Sequence, residues 1–301
     1  MIKNFEELIK LAIEKGPKKV AVACAQDEDA LKAIKAAYDK GIIKGILVGD
    51  TDLIKSISEE IGLDLKDFEL IHITDMAEAS LKAVSMVSSG EADLVMKGLV
   101  DTSIILKAVL NKEVGLRTGN VLSHVAVFDV PTYHKILTVT DAAMNIAPDL
   151  MAKKQIIENA LHVTKALDID MPNVGVITAK EKVTESMPAT VDAGELVKMN
   201  QEGLIKDCKV GGPFALDNAV SKEAAEIKGI KDPMAGDVDI LLCPTIEAGN
   251  VLYKALNFLG NARSAGIIVG AKAPIILTSR ADSDDSKLNS IALGVLMSGI
   301  K

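Results

Sequence analysis

The chain has 301 residues, of which 49% are apolar, and a formal net charge of −8. That is enough apolar material for a large core, and the length suits two domains. The acidic balance argues against a nucleic-acid surface as the main function, and an aromatic content of 3% with no Trp argues against a base-stacking platform.

Asn4 precedes an amphipathic run that puts Phe5, Leu8, Ile9 and Ala12 on one face, and Gly16-Pro17 stops it, so a helix is expected there. Residues 19–25 read as a strand, 27–40 as a helix closed by Gly41, and 42–48 as a strand. A helix over 51–61, a strand over 69–73, a helix over 75–88 and a short strand over 94–96 follow. Alternating strand and helix patterns signal a parallel sheet covered on both faces.

The rhythm breaks at 121–130 and 136–139, two strand-like runs joined by Pro131-Thr132-Tyr133-His134. So short a connection cannot hold a crossover helix, so an antiparallel pair is expected. Asp141 to Pro148 and a helix over 150–167 follow, and the passage between domains is placed here. Beyond it, 174–177 reads as a strand and 189–199 as a helix. Gly211-Gly212-Pro213 reads as a break, 221–227 as a helix, 240–243 as a strand, 248–259 as a helix, and 267–269 and 275–277 as strands.

The stretch 275–289 gathers the most chemistry. Ile275-Ile276-Leu277 has the branching of a buried strand and stops at Ser279-Arg280. Asp282, Ser283, Asp284 and Asp285 come next, then a helical pattern through Leu288, Ile291, Ala292, Val295 and Leu296. Ligands of open α/β sheets sit beyond the carboxyl ends of the strands. A guanidinium there can grip phosphate through two parallel hydrogen bonds, and a carboxylate can take a proton from a nucleophile. Capping of the following helix explains the same Ser and Asp residues.

Other turns have a similar form. Lys97 leaves a strand ahead of Gly98 and the hydroxyls of Thr102 and Ser103, which suits phosphate, though capping by Asp101 or Thr102 accounts for the pattern. Arg117, between Gly115 and Gly119, is an anion clamp or a solvated loop residue. Thr140-Asp141 with Asn145 follows a strand end. Glu247 and Asn250 share the first-turn face of a helix, with capping and a close-packing Gly249 as the alternative.

Several patterns are missing. The four histidines show no HExxH, and no GxGxxG or Walker sequence follows a strand, so a dinucleotide, nucleoside-triphosphate or metal site is not supported. His124, after Ser123 in an apolar strand, is expected to be a core or interface histidine rather than a catalyst. Cys24, Cys208 and Cys243 show no CxxC spacing, and inert packing in a reducing cytoplasm is expected. The N-terminal stretch lacks a signal-peptide apolar region, and no window approaches the roughly 18 to 20 apolar residues of a membrane span.

In this order and spacing, Lys97-Gly98-Leu99-Val100, Thr140 to Asn145, Pro213 to Ala219, Ala235 to Asp239, Pro244 to Lys254 and Ser279-Arg280 resemble the phosphate acetyl/butyryltransferase family along the whole chain. The resemblance implies two α/β/α domains with mainly parallel sheets, an architecture shared with isocitrate and isopropylmalate dehydrogenases, and an active site in the interdomain cleft. The expected division is 1–140 plus 284–301, with the last helix folding back, and 141–283.

The resemblance also implies reversible transfer of a butyryl group between coenzyme A and inorganic phosphate. Butyryl-CoA and phosphate would give butyryl phosphate and CoA, with coenzyme A as substrate and no tightly bound cofactor or metal. Ser279 would stabilise the transition state and Arg280 would hold phosphate. A nearby carboxylate would deprotonate the coenzyme A thiol. The family's acidic position falls on Ser286, which leaves Asp282, Asp284 and Asp285, with Asp285 favoured. Lys97, Arg117, Thr140, Asp141, Asn145, Glu247 and Asn250 are expected to bind substrate. A cytoplasmic homo-oligomer built from dimers, with no nucleic-acid or membrane partner, is expected. The alternatives are an acetyltransferase of broader chain-length range, a metal- and nicotinamide-dependent decarboxylating dehydrogenase of similar fold, and a non-catalytic acyl-CoA-binding protein.

Overall fold

Helix α1 (Phe5–Lys15) buries Phe5, Leu8 and Ala12, three of the four residues on the expected apolar face. The computed structural model describes residues 2–277 and 282–299. After α1 the chain runs through β1 (Lys18–Ala23), α2 (Glu28–Asp39), β2 (Ile43–Gly49), α3 (Thr51–Ile61), β3 (Glu69–His72), α4 (Met76–Ser88), β4 (Leu94–Lys97) and α5 (Thr102–Val109). Short acidic side chains start three of these helices. Asp27 accepts from the Ala30 N–H, Asp50 from Asp52 and Leu53, and Asp75 from Glu78. Each satisfies backbone donors that the helix itself leaves unpaired. β1 pairs in parallel with β2 and β4, and β2 with β3. Val20 to Ala23 are fully buried because both sheet faces are covered.

The middle of the chain forms β5 (Ser123–Asp129), β6 (Leu137–Thr140), α6 (Leu150–Ala166), β7 (Asn173–Ile177), α7 (Pro188–Gln201), β8 (Lys209–Phe214), α8 (Leu216–Val220), α9 (Lys222–Ile227), β9 (Ile240–Leu242) and α10 (Ile246–Phe258). β5 and β6 are the expected antiparallel pair, with Val125 opposite Thr140 and Phe128 opposite Leu137. The strand order here is β5-β6-β9-β7-β8, parallel after the first pair. Phe128, Val139, Phe214, Val238 and Leu241 form its core, with Leu252, Tyr253 and Leu256 of α10 against it.

One expectation is corrected here. Gly211-Gly212-Pro213 does not break the chain but lies inside β8. β8 ends the strand order, and a proline without an N–H is tolerated at such an edge. The helix expected over 221–227 forms as α9, capped by Ser221 through the Ala224 N–H, and a further short helix, α8, precedes it and ends at Ser221.

The chain then returns through β10 (Arg263–Val269), β11 (Ile275–Ile276) and α11 (Asp284–Ser298). β11 runs antiparallel to β10 and parallel to β4, pairing Ile275 with Val95 and Ile276 with Met96. α11 packs on α1 and α2 and is buried almost all round, including Ile291, Leu293, Val295 and Leu296. Such a helix is held by packing rather than by one apolar stripe. By residue contacts the chain forms two compact units. One is Phe5–Asn120 with Ala265–Lys301, and the other is Met1–Asn4 with Val121–Ser264. Both are α/β, with mainly parallel strands.

Candidate functional site

In the unit that contains α1, the candidate residues follow strand ends. Lys97 is half-buried at the end of β4, and its Nζ donates to the Gly98 and Val100 carbonyls at 3.1 and 3.0 Å. The turn therefore holds its own ammonium group. It is pressed against the end of β1, where Gly98 N–H donates to Ala23 and Leu99 N–H to Cys24, both at 2.8 Å. A Cβ on Gly98 would lie 2.3 Å from the Cys24 carbonyl oxygen. Asp101 precedes α5 but makes no side-chain capping bond.

β11 is aligned with β4, with Ile276 opposite Met96, so Leu277 lies at the same end of the sheet as Lys97. Ser279 and Arg280 lie outside the described residues. Arg117 is exposed on a loop fixed on both sides. The Leu116 carbonyl accepts from Lys272 N–H at 2.8 Å, and Thr118 Oγ1 donates to the Gly270 carbonyl at 2.5 Å.

The three candidate bases differ in setting. Asp282 is half-buried, and Ser283 caps α11 by accepting from Ser286 N–H at 3.2 Å. Asp284 and Asp285 are exposed in the first turn. Asp284 adds to the field that raises the Lys32 ammonium above its usual range, a shift set first by Glu28. Ser286, where the family's acidic position falls, is buried. Lys287, also buried, pairs with Asp29 at 3.2 Å.

In the other unit the candidates interlock. Thr140 ends β6, fully buried, and its hydroxyl donates to the His124 carbonyl at 3.0 Å. Asp141 is 2% exposed. Its Oδ1 accepts from the N–H groups of Ala143, Met144 and His124 at 2.9, 3.0 and 3.3 Å. Its Oδ2 accepts from Asn145 N–H at 3.1 Å and from the Asn145 side-chain amide at 2.5 Å. That amide also reaches the Leu122 carbonyl at 2.9 Å. Asn250, on α10, donates to the Ala142 carbonyl at 3.4 Å, and Glu247 is exposed in the first turn of that helix.

The profile of the phosphate acetyl/butaryl transferase family matches residues 4–80 and 73–295. The chain belongs to this family. Among similar members, a phosphate butyryltransferase of Clostridium beijerinckii is 53% identical over 297 residues, covering 99% of this chain and 98% of that one. A phosphate butyryltransferase of Clostridium acetobutylicum is 50% identical over 301 residues, the full length of both. The crystal structure of a branched-chain phosphotransacylase from Enterococcus faecalis matches at TM-score 0.84 and 34% identity, over 94% of this chain and 99% of that one.

In this phosphate acetyl/butaryl transferase family member the thiols sit away from reactive settings. Burial pushes Cys208 up to about 12 and Cys243 up to about 12, the latter helped by the Asp141 charge. Burial also raises Cys24. A thiol raised in this way is a poor nucleophile at neutral pH. His124 is buried, with its ring edge-on to Tyr253 at 5.7 Å between centroids. Among the described residues no cluster of His, Cys, Asp and Glu could hold a metal ion, and no helix is long and apolar enough to cross a membrane.

The interlocking of Asp141 with its own turn is what sequence reasoning missed. The donors at Ala143, Met144 and Asn145 follow a common local pattern for Asp, in which the side chain bonds N–H groups just ahead of it. The fourth backbone donor, His124, comes from a neighbouring strand and leaves no trace in the local sequence.

Proposed function

We propose that the chain is a phosphate butyryltransferase, catalysing butyryl-CoA + phosphate = butyryl phosphate + CoA. The observation that carries this reading is 53% identity, over nearly the whole of both chains, to a clostridial phosphate butyryltransferase. A phosphate oxygen attacks the thioester carbonyl carbon, a C–O bond forms, and the C–S bond breaks to release the thiolate of coenzyme A. In reverse, the thiolate attacks the acyl phosphate and phosphate leaves.

Each assigned group answers a physical need. Both anionic substrates need a cation, and a guanidinium at Arg280 offers two parallel hydrogen bonds to phosphate. Negative charge grows on the carbonyl oxygen, and one donor such as the Ser279 hydroxyl is typically worth roughly 3 to 4 kcal/mol. A thiol has a pKa near ~8.5, so a carboxylate base, here Asp285, raises the reactive fraction. Lys97 and Arg117 are assigned to anionic parts of the substrates. Thr140, Asp141, Asn145, Glu247 and Asn250 are assigned to the binding region of the other unit. Butyryl exceeds acetyl by two methylenes, each worth about 0.8 kcal/mol when buried, so discrimination between chain lengths is graded.

A cytoplasmic location and a homo-oligomer built from dimers complete the proposal. They rest on the family resemblance. The test follows free thiol release from butyryl-CoA in the presence of phosphate, for the wild type and for Arg280→Ala. The expected result is turnover in the wild type and a loss of at least tenfold in the variant. No turnover in the wild type overturns the activity, and equal rates overturn the phosphate clamp.

A further inference from the structure

We propose that Asp141 is a positioning residue: it shapes the turn 141–145 so that the first turn of α10 is seated and Glu247 is fixed where it meets the coenzyme A arm of the acyl donor. This rests on the acyltransferase reading above. At 2% exposure, with both oxygens accepting from five donors, Asp141 has nothing left to offer a substrate. A buried carboxylate persists where its hydrogen bonds are satisfied, and here they all go to the turn and to the neighbouring strand.

The turn in turn holds α10. Thr245 stands at the N-cap, but its side chain makes no capping bond. The helix start is instead held to the turn by one backbone N–H and one side-chain amide. Ile246 N–H donates to the Ile146 carbonyl at 3.0 Å, and the Asn250 amide donates to the Ala142 carbonyl at 3.4 Å. Gly249 sits so close that a Cβ there would lie 2.1 Å from the Asp141 carbonyl oxygen and 2.9 Å from Ala142 Cα. The direction in which α10 begins is therefore set by the turn that Asp141 builds. Glu247, one turn-face neighbour of Asn250, is exposed at the carboxyl end of β9. A carboxylate repels phosphate but accepts from neutral N–H and O–H groups, and the coenzyme A arm supplies both.

The test measures KM for butyryl-CoA and for phosphate separately in the full chain. The variants are Asp141→Asn, Glu247→Gln, their double variant, and Gly249→Ala, which lifts the helix without touching the carboxylate. Each single variant should raise KM for butyryl-CoA about tenfold, the worth of one hydrogen bond to a charged group, and leave KM for phosphate within about twofold. The double variant should be no worse than the worse single one. Multiplied losses in the double variant, a shift in KM for phosphate, or a lowered melting midpoint with intact kinetics would overturn the assignment. If Asp141→Asn does not fold, Gly249→Ala carries the same comparison.

If the wild type gives no thiol release, the failure belongs to the reaction. The seating is then read by amide exchange, which should speed up in Asp141→Asn at residues 143–145 and also at Ile246. Unchanged exchange at Ile246 would refute the positioning role by itself.

Discussion

Replacing Gly98 with alanine should loosen the first strand–helix turn and displace Lys97. The dihedrals of Gly98 are not left-handed, so space is the obstacle. An alanine Cβ would lie 2.3 Å from the Cys24 oxygen and 2.9 Å from the Ala23 oxygen, and both are backbone atoms that cannot rotate away. Real Cβ contacts do not close below 3.0 Å, so the turn must retreat by several tenths of an ångström. That retreat stretches the two 2.8 Å bonds from Gly98 and Leu99 to β1 towards the limit of hydrogen bonding. Overpacking of this kind costs about 1 to 3 kcal/mol, and each weakened bond up to about 1 kcal/mol, so the expected loss is about 2 to 4 kcal/mol. The Lys97 ammonium moves with the Gly98 and Val100 carbonyls that hold it, so turnover falls as well. Urea midpoints by circular dichroism and thiol-release kinetics read the two effects. A variant within about 0.5 kcal/mol of the wild type, with unchanged kcat/KM, would refute the reasoning.

Three further outcomes follow from other parts of the fold. Lys153, 5% exposed on α6, pairs with Asp192 on α7 at 2.5 Å, so Asp192→Ala strands a buried ammonium. The cost should be about 2 to 4 kcal/mol in urea melts, and the double replacement Lys153→Met with Asp192→Leu should recover most of it; failure to recover would mean that the charge is not what destabilises. Glu181 is held at about 2, below its ordinary 4.5, by Lys228 first and then by the Asn218 amide. Its stabilising share is therefore present above about pH 4.5 and lost as pH falls towards 2, so Glu181→Gln should flatten the acid side of the stability profile, and an unchanged profile would count against that network. Finally, Cys24, Cys208 and Cys243 should stay unreactive to a disulfide reagent in the folded protein at neutral pH and react on unfolding. A fast stoichiometric reaction of the native chain would contradict their burial.

Much of the fold was legible because parallel strands buried on both faces leave continuous apolar runs, as at Val20 to Ala23. Helix starts were legible because Asp27, Asp50 and Asp75 sit where backbone donors need a partner. The hairpin of β5 and β6 was legible from the length of its link. β8 was not, because Lys209–Phe214 carries two glycines and a proline, and these read as a break unless the strand is known to lie at an edge. A parallel partner distant in sequence decides that, and no local pattern encodes it.

The candidate residues were legible as positions but not as roles. Sequence pattern places Asp141, Glu247 and Asp285 in like positions, as acidic side chains beside strand ends or helix starts. Burial separates them. Asp285 and Glu247 are exposed in first turns and can meet a solute, while the Asp141 carboxylate is spent on its own turn. The same physical rule yields both outcomes. A carboxylate near backbone N–H groups is stabilised whether those groups belong to a helix start or to a tight turn, and only the number of donors it already holds says whether any capacity remains for a ligand. That number depends on His124, seventeen residues away in sequence and brought to Asp141 by the pairing of β5 with β6. Roles at such sites are therefore set by strand register, because register decides which donors reach a carboxylate before any substrate arrives.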